Sequence, residues 1–306
     1  MITSRHETPT IRTDDLRGDL VMHMRAAGDL IGDAMVVRPD GAVRSWARTG
    51  AGPLVRLRRD RARTRLRLYC LPYAGGSAGV FRSWCDLLPP NVDVWGVEYP
   101  GHGSRISEPL TDRIDALAEL IAEAIAAQPA VPYALFGHSM GSLVAFEVCH
   151  VLAARNATSP TLLVVAGHRG PHLPASRPPV HDAPDAEFVA HLRELGATPP
   201  EVLESAELVD LMLPILRNDF RACETYSAPE RPPLRTEIAA YGGLADEDAD
   251  RDALLAWKQE TLGRFVLRLF PGGHFFVREC ASRVAATLQR DMADALPLSE
   301  RQPRDD

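Results

Sequence analysis

The sequence predicts an α/β protein in which helices flank a mostly parallel, twisted β-sheet and a helical lid is inserted late in the chain. From residue 65 onward, apolar segments of strand length alternate with amphipathic segments of helix length, which is typical of parallel strands joined by crossover helices. The alternation stops between residues 170 and 235, where a proline-rich start leads into helical patterns. We therefore expect a lid at about residues 171–235, over the carboxyl edge of the sheet, with a plain connecting region as the alternative.

Six apolar segments are predicted to form the strands. They are residues 66–71, 92–98, 133–136, 161–166, 236–241 and 265–270. Helices are predicted at residues 114–127, 143–154, 251–263 and 281–296, with two more in the lid at 186–195 and 206–226. In the first of these, Ile114, Leu117, Ile121 and Ile125 form one apolar stripe, as expected for a helix that covers a sheet.

The two ends of the chain are predicted to lie outside the main domain, residues 65–296. Residues 1–64 are polar and rich in arginine, and we expect a poorly ordered extension. One run at helical spacing there, Leu16, Leu20, Met24, Ala27 and Ile31, predicts a single helix. Residues 297–306 form a polar tail. The run of arginines between Arg56 and Arg67 belongs to the same extension, and its composition alone predicts no function.

Composition excludes several classes of protein. The formal net charge of −7 argues against nucleic acid as a general partner, because binding to phosphates needs a basic surface. No stretch approaches the roughly 18 apolar residues of a membrane helix, and no signal-peptide pattern begins the chain. The five cysteines lack the short spacing of metal or redox sites. We expect a cytoplasmic protein with reduced thiols and no membrane partner.

Residues 137–141, GHSMG, carry the strongest chemical signal. Ser139 lies between a predicted strand and a predicted helix, which is the arrangement of the nucleophile elbow in α/β-hydrolases. The flanking glycines allow the sharp turn that this serine requires. The pattern therefore predicts the α/β-hydrolase fold, with Ser139 as nucleophile. An ordinary turn serine remains the alternative.

A serine nucleophile needs an imidazole base and a carboxylate that orients the base. His274 is the candidate base because it follows a late strand in a glycine-hinged turn. Asp246 is the candidate acid because it follows the preceding strand directly. The acid is not unique, since an acidic loop continues with Glu247, Asp248, Asp250 and Asp252. Among these, Asp248 is the second choice.

An oxyanion formed at the serine would need two backbone N–H donors. Met140, the residue after the nucleophile, is one candidate. The other is Ala74, in the glycine-rich loop that follows the first predicted strand. That loop lacks the Gly-Lys-Ser/Thr ending of a P-loop, so a nucleotide site is not expected. This chemistry requires no metal or bound cofactor.

Together these motifs resemble the type II thioesterases that accompany modular polyketide and nonribosomal peptide synthetases. The resemblance runs from about residue 66 to residue 288 and rests on several motifs. They include residues 71–78 (LPYAGGSA), 97–105 (VEYPGHGSR), 135–141 (LFGHSMG), 216–220 (LRNDF), 242–246 (GGLAD), 256–257 (AW) and 272–276 (GGHFF). It implies a triad of Ser139, Asp246 and His274, and it favours Asp246 over Asp248 by its spacing from Gly242.

The resemblance also implies a substrate and a partner. The family removes stalled or wrong acyl groups from the phosphopantetheine arm of acyl or peptidyl carrier proteins. Because carrier proteins of these systems are usually acidic, the resemblance makes the arginines between Arg56 and Arg67 a candidate docking surface, with a solvated linker as the alternative. Apolar residues of the lid would then either line an acyl pocket or seal the lid onto the core; these are Leu208, Leu211, Met212, Ile215 and Leu216. Two other functions stay open: a carboxylesterase or acyltransferase on the same fold, and a non-catalytic protein that binds a synthetase.

Overall fold

The computed structural model describes residues 35–37, 43–45, 52–57, 64–196 and 204–296. Nine strands are labelled in chain order: β1 (Met35–Val37), β2 (Val43–Ser45), β3 (Leu54–Arg56), β4 (Leu66–Leu71), β5 (Val92–Val97), β6 (Tyr133–His138), β7 (Leu162–Ala166), β8 (Glu237–Gly243) and β9 (Phe265–Phe270). Eight helices are labelled likewise: α1 (Trp84–Leu87), α2 (Ile114–Ala126), α3 (Met140–Ala154), α4 (Asp185–Leu195), α5 (Ala206–Glu224), α6 (Arg251–Leu255), α7 (Phe276–Glu279) and α8 (Ala281–Ala295). Short 3-10 helices occupy Ala78–Phe81, Gly103–Arg105 and Ala256–Glu260.

Seven strands form the main sheet in the order β3-β5-β4-β6-β7-β8-β9. All neighbouring pairs are parallel except β3 and β5, which are antiparallel. The predicted α/β class and the mostly parallel sheet are confirmed, and each of the six predicted strands is present within two residues of its expected bounds. The carboxyl ends of β4 to β9 lie at one edge, which is where parallel sheets place their ligand sites.

Each face of the sheet is buried under helices. Alternate residues of β4 illustrate this, because side chains alternate between the two faces of a strand. Tyr69 and Leu71 pack in one apolar cluster with α2 and α3. Leu68 and Cys70 pack in a second cluster with α1 and α8. All six residues of β4 are buried, as the continuous apolar run predicts for a central parallel strand.

Strand β3 lies inside the segment that composition assigns to the extension, and it is not predicted from the sequence. It pairs with β5 through Leu54–Val97, Val55–Gly96 and Arg56–Trp95. Three residues are too few to produce a periodic signal, and the arginines that follow conceal the boundary. The ends of the arginine run belong to this edge, because Arg56 (2.8 Å) and Arg67 (3.8 Å) both face the carboxylate of Asp93. Residues 58–63 of the run lie outside the described residues.

The other predictions for the ends of the chain concern residues that the structure does not describe. The predicted helix around Leu16–Ile31 and the tail at 297–306 lie outside the described residues. Within the first 64 residues, β1 and β2 pair as an antiparallel hairpin, with Val36 opposite Arg44. All five cysteines are free. In the parts of the chain described above, no helix is long and apolar enough to cross a membrane.

Residues between β7 and β8, called the insertion below, contain α4 and α5 and no named strand among those described. Met212, Ile215 and Leu216 of α5 pack with Phe188 and Leu192 of α4 against two core side chains, Tyr73 and Phe275. Leu211, by contrast, is exposed. Of the two functions considered for these apolar residues, sealing the insertion onto the core is the one that the packing supports.

Candidate active site

Ser139 occupies a strained turn between β6 and α3. Its φ of 53° and ψ of −117° lie outside the regions that a residue with a side chain normally adopts, at a cost of about 1–3 kcal/mol. The turn is held by the Ser139 N–H, which donates to the Ala166 carbonyl at 2.7 Å, and by the Ser142 N–H, which donates to the Ser139 carbonyl at 2.8 Å. The elbow predicted from the sequence is therefore present.

The two glycines of the elbow are required by close backbone packing. A Cβ atom on Gly137 would collide with the Gly141 carbonyl, and one on Gly141 would collide with the Leu71 carbonyl at the end of β4. Because both obstacles are backbone atoms, rotation of a side chain cannot relieve either clash.

Gly141→Ala is expected to destabilise the protein by about 1–3 kcal/mol, the usual cost of a group forced into a packed interior. Gly52→Ala is the matched control, because a Cβ atom there would meet nothing within 4 Å. Denaturant unfolding of both variants measures the difference. An unchanged midpoint for Gly141→Ala would contradict the close contact with β4.

His274 and Asp246 form a hydrogen-bonded pair in the loops after β9 and β8. The His274 Nδ1 lies 2.9 Å from Asp246 Oδ2, and the carboxylate is 2% exposed. The other oxygen, Oδ1, accepts from the N–H groups of Asp248 (3.1 Å) and Ala249 (3.3 Å). Burial raises the pKa of Asp246, but the hydrogen bond and charge of His274 and the two backbone donors outweigh it and lower that pKa. The carboxylate is thus ionised at neutral pH.

The structure separates Asp246 from the other acids of its loop. Asp248 directs its carboxylate to Arg177 at 2.8 Å and to Ser176 at 3.2 Å. Asp250 accepts from the Ala253 N–H at 2.8 Å and caps α6. Asp246 is the one among them that contacts His274.

Ser139, His274 and Ala74 line one cavity of about 490 Å³ between the sheet edge and the insertion. A Cβ atom on Gly167 would lie 3.5 Å from His274 Cε1. Gly167 follows Ala166, whose carbonyl holds the Ser139 N–H, so the imidazole lies beside the elbow. Met140, the other predicted donor, is the fully buried first residue of α3.

Two other histidines, around this cavity and the insertion, each lie close to a glutamate carboxylate. His172 Nδ1 lies 2.8 Å from Glu260, and His181 Nδ1 lies 2.5 Å from Glu224. Both lie further along the segment between β7 and α4, and their acid partners are not Asp246. His168, which is not among the predicted site residues, lies directly after the end of β7 and lines the cavity. Burial lowers its pKa to about 4, and its Nδ1 lies 2.7 Å from the Arg169 carbonyl, so it contributes a neutral ring.

His138 supports the loop that carries His274. Its Nε2 lies 2.9 Å from the His274 carbonyl and must donate, because a carbonyl only accepts. The rings of Tyr73, His274 and Phe275 surround it at centroid distances of 5.4, 5.4 and 5.6 Å. Burial, with a smaller contribution from the charge of His274, lowers the pKa of His138 to about 3. His138 is therefore a neutral donor at neutral pH.

The lowered pKa of His138 predicts a loss of stability in mild acid. Below its ordinary value of about 6.5 the unfolded chain binds a proton that the folded chain does not, so stability falls as pH decreases toward 3. His138→Gln keeps a donor for the His274 carbonyl without titrating. Between pH 7 and pH 5 we expect the variant to lose about 2 kcal/mol less than the parent. His150 and His168, whose pKa values burial lowers to about 4, act equally in both proteins.

Urea unfolding at the two pH values tests this expectation. Equal losses in both proteins would show that His138 is protonated in the folded state at pH 5, contrary to its buried, carbonyl-bound position.

Comparison with known proteins assigns the family. The thioesterase domain profile matches residues 66–292, about three quarters of the chain. The chain belongs to the thioesterase family. This assignment agrees with the resemblance drawn from the sequence, and it makes the protein a thioester hydrolase by family.

Relatives of this thioesterase include a gramicidin S biosynthesis protein and a thioesterase of Streptomyces. The gramicidin S biosynthesis protein GrsT of Aneurinibacillus migulanus is 37% identical over 216 residues, which cover 70% of this chain and 84% of that protein. Thioesterase PikA5 of Streptomyces venezuelae is 37% identical over 220 residues, covering 70% and 76%. The chain thus spans most of the length of both relatives.

Solved structures lead to the same family. RedJ, a thioesterase from the prodiginine pathway of Streptomyces coelicolor, is 39% identical with a TM-score of 0.70, covering 76% of this thioesterase and 92% of RedJ. YbtT, a type II thioesterase from the yersiniabactin pathway, is 32% identical with a TM-score of 0.73, covering 80% and 100%. The predicted fold and the resemblance to type II thioesterases are confirmed. The roles of individual residues stay predictions.

Proposed function

We propose that this protein is a type II thioesterase that removes acyl groups from the phosphopantetheine arm of acyl or peptidyl carrier proteins in polyketide or nonribosomal peptide biosynthesis. Family membership and the pathways named for GrsT and YbtT support the reaction and its setting. The observation that carries the proposal is one cavity lined by both Ser139 on its strained turn and His274 bound to Asp246.

In the first half of the proposed reaction, Ser139 Oγ attacks the thioester carbonyl carbon and His274 Nε2 takes the hydroxyl proton. Asp246 holds Nδ1 on the opposite side of the ring, which fixes the tautomer and stabilises the imidazolium that forms. The N–H groups of Met140 and Ala74 bind the oxyanion of the tetrahedral intermediate. When the C–S bond breaks, the imidazolium returns the proton to the departing thiol, leaving an acyl ester on Ser139.

Water completes the cycle in the second half. His274 removes a proton from water as its oxygen attacks the ester carbonyl, and a second tetrahedral oxyanion forms at the same donors. The C–O bond to Ser139 then breaks, and the proton passes from His274 to Ser139 Oγ. The products are a free carboxylic acid and a carrier arm that ends in a thiol. These steps use only groups of the chain and water.

The cavity is suited to the end of a pantetheine arm together with an acyl chain. Its volume of about 490 Å³ lies within the range of small-molecule sites. Apolar side chains of the core, of both insertion helices and of the segment after α5 contribute to its wall: Leu143, Leu195, Phe220 and Tyr226. His168 and Arg169 add polar groups from the loop after β7. In this proposal the insertion serves as the lid of the acyl site.

Incubation with a panel of acyl-loaded carrier proteins, followed by mass measurement of each arm, tests substrate and partner together. We expect the acyl mass to disappear from several carriers and the free thiol to remain. A matched series of acyl pantetheine thioesters and oxygen esters distinguishes a carboxylesterase on the same fold. Faster cleavage of the oxygen esters, with carriers left acylated, would contradict the proposal. A synthetase-binding protein without activity would cleave neither series.

A further inference from the structure

The loop that carries Ala74 is bound by a buried acid of the insertion. Asp219 lies in α5 and is 1% exposed. Its Oδ2 accepts a hydrogen bond from the Gly75 N–H at 2.7 Å, across 144 residues of sequence. The same oxygen lies 2.8 Å from the Nε2 of His102, in the loop after β5. One carboxylate therefore joins the insertion to two loops at the carboxyl edge of the sheet.

His102 supplies the counter-charge for this carboxylate. Its Nε2 faces Asp219, and its Nδ1 lies 3.0 Å from the Pro100 carbonyl. Since both neighbours accept, both ring nitrogens must donate, and the ring is an imidazolium. Burial lowers the pKa of His102, but the charge and hydrogen bond of Asp219 outweigh burial and raise it. Removing one partner of such a buried pair leaves an uncompensated charge, which makes the contact hard to break.

A second contact packs α5 against Gly75, the same residue of the loop. Gly75 has a φ of +75°, and a Cβ atom there would lie 2.5 Å from Leu216 Cδ2 of α5. The far end of the loop is held by the core instead, because the Ala78 N–H donates to Glu98 Oε1 at 2.6 Å. The insertion thus holds the half of the loop that contains Ala74.

These contacts determine the orientation of Ala74. The Gly75 N–H belongs to the peptide that follows Ala74, so its bond to Asp219 fixes that peptide. The Gly76 N–H donates to the Tyr73 carbonyl at 2.8 Å and closes the turn around Ala74. Oxyanion donors contribute to catalysis only when they are aligned before the reaction begins. Ala74 therefore keeps its alignment while α5 is seated.

We propose that Asp219 is a positioning residue that completes the oxyanion hole only when α5 is seated on the Gly75 loop. This inference rests on the proposed function, since it concerns the same site. A displaced α5 would remove the acceptor of the Gly75 N–H and the packing of Leu216, and Ala74 would lose its alignment. Hydrolysis is then confined to the closed form of the protein, in which the insertion covers the acyl group.

Asp219→Ala tests the inference, with kcat and KM measured on a small acyl N-acetylcysteamine thioester. We expect kcat to fall about 10- to 100-fold, as for a misaligned oxyanion donor, with KM changed less than about threefold. Affinity for a trifluoromethyl ketone analogue, whose tetrahedral adduct occupies the hole, should fall by a similar factor. Asp219→Asn keeps one neutral acceptor and should recover part of the loss in kcat and part of the loss in analogue affinity. If the alanine variant does not fold, the asparagine variant provides the test.

Ser205→Ala is the matched control. Ser205 caps the start of α5 through the Leu208 N–H at 3.4 Å, whereas Asp219 lies near the other end of the helix. It should lower the melting temperature while kcat and analogue affinity stay within about twofold of the parent. Parental kcat and analogue affinity in Asp219→Ala, or an equal loss in Ser205→Ala, would overturn the inference. Failure of the proposed function would instead be seen as unchanged hydrolysis by Ser139→Ala.

Discussion

Replacing Ser139 by alanine is expected to lower kcat for acyl-thioester hydrolysis by at least about 10⁴-fold, because removal of a serine nucleophile abolishes the acyl-enzyme route. The side chain lines the cavity at the strained elbow, and its backbone conformation is held by the Ala166 carbonyl. Alanine has the same backbone preferences as serine at this φ, so the fold should be unchanged. Steady-state hydrolysis of an acyl N-acetylcysteamine thioester measures the effect.

The same variant provides a second readout. With the parent protein, a stoichiometric acyl-enzyme should be trapped by rapid quenching and detected as an added acyl mass on the peptide that contains Ser139. The alanine variant should bind acyl-carrier proteins without acquiring that mass. An acylated variant, or one that still hydrolyses at the parental rate, would place the nucleophile elsewhere.

Asp246→Asn is expected to lower kcat about 10⁴-fold. An asparagine at this position keeps the size of the side chain but removes the charge that stabilises the imidazolium. It also allows the amide to donate to His274 Nδ1, which favours the wrong tautomer of the ring. Because the pKa of Asp246 is lowered in the folded protein, its side chain is ionised at neutral pH. The variant therefore measures the effect of losing that negative charge.

Asp248→Asn is the matched control for Asp246→Asn. Asp248 lies two residues away in the same acidic loop, but its carboxylate contacts Arg177 and Ser176 on the surface. Loss of an exposed ion pair costs about 0–1 kcal/mol of stability, and kcat should change less than about threefold. A larger effect at Asp248 than at Asp246 would reverse the assignment of the acid.

The sequence predicts most of the sheet because the central strands are buried on both faces. Each of them is a run of apolar residues bounded by turn residues, and β4, β6 and β7 are buried at every position. Strand β3 has no such signal, since its three residues are half-buried and precede a run of arginines. Edge strands that pair on one side only do not need a continuous apolar run.

The candidate site could be predicted only as far as local sequence determines it. Ser139 and His274 follow strands directly, so topology alone brings them to one edge. The choice between Asp246 and Asp248 depends on which carboxylate turns inward, and the loop sequence does not contain that information. The pairing of Asp219 with Gly75 depends on how α5 seats on the core, across a separation that no local pattern reports. His168 was detectable in principle, because it too follows a strand.

The short strand β3 also bears on the tendency of the protein to aggregate at high concentration. An unpaired outer edge on β5 would offer a row of free N–H and C=O groups to any other extended chain, the usual starting point of aggregation. Leu54–Arg56 occupies that edge in the antiparallel direction and places the charged Arg56 beside Asp93. The residues just before the family-matched region thus cover the edge of β5, and we expect a shortened chain that starts at residue 64 to aggregate at lower concentration.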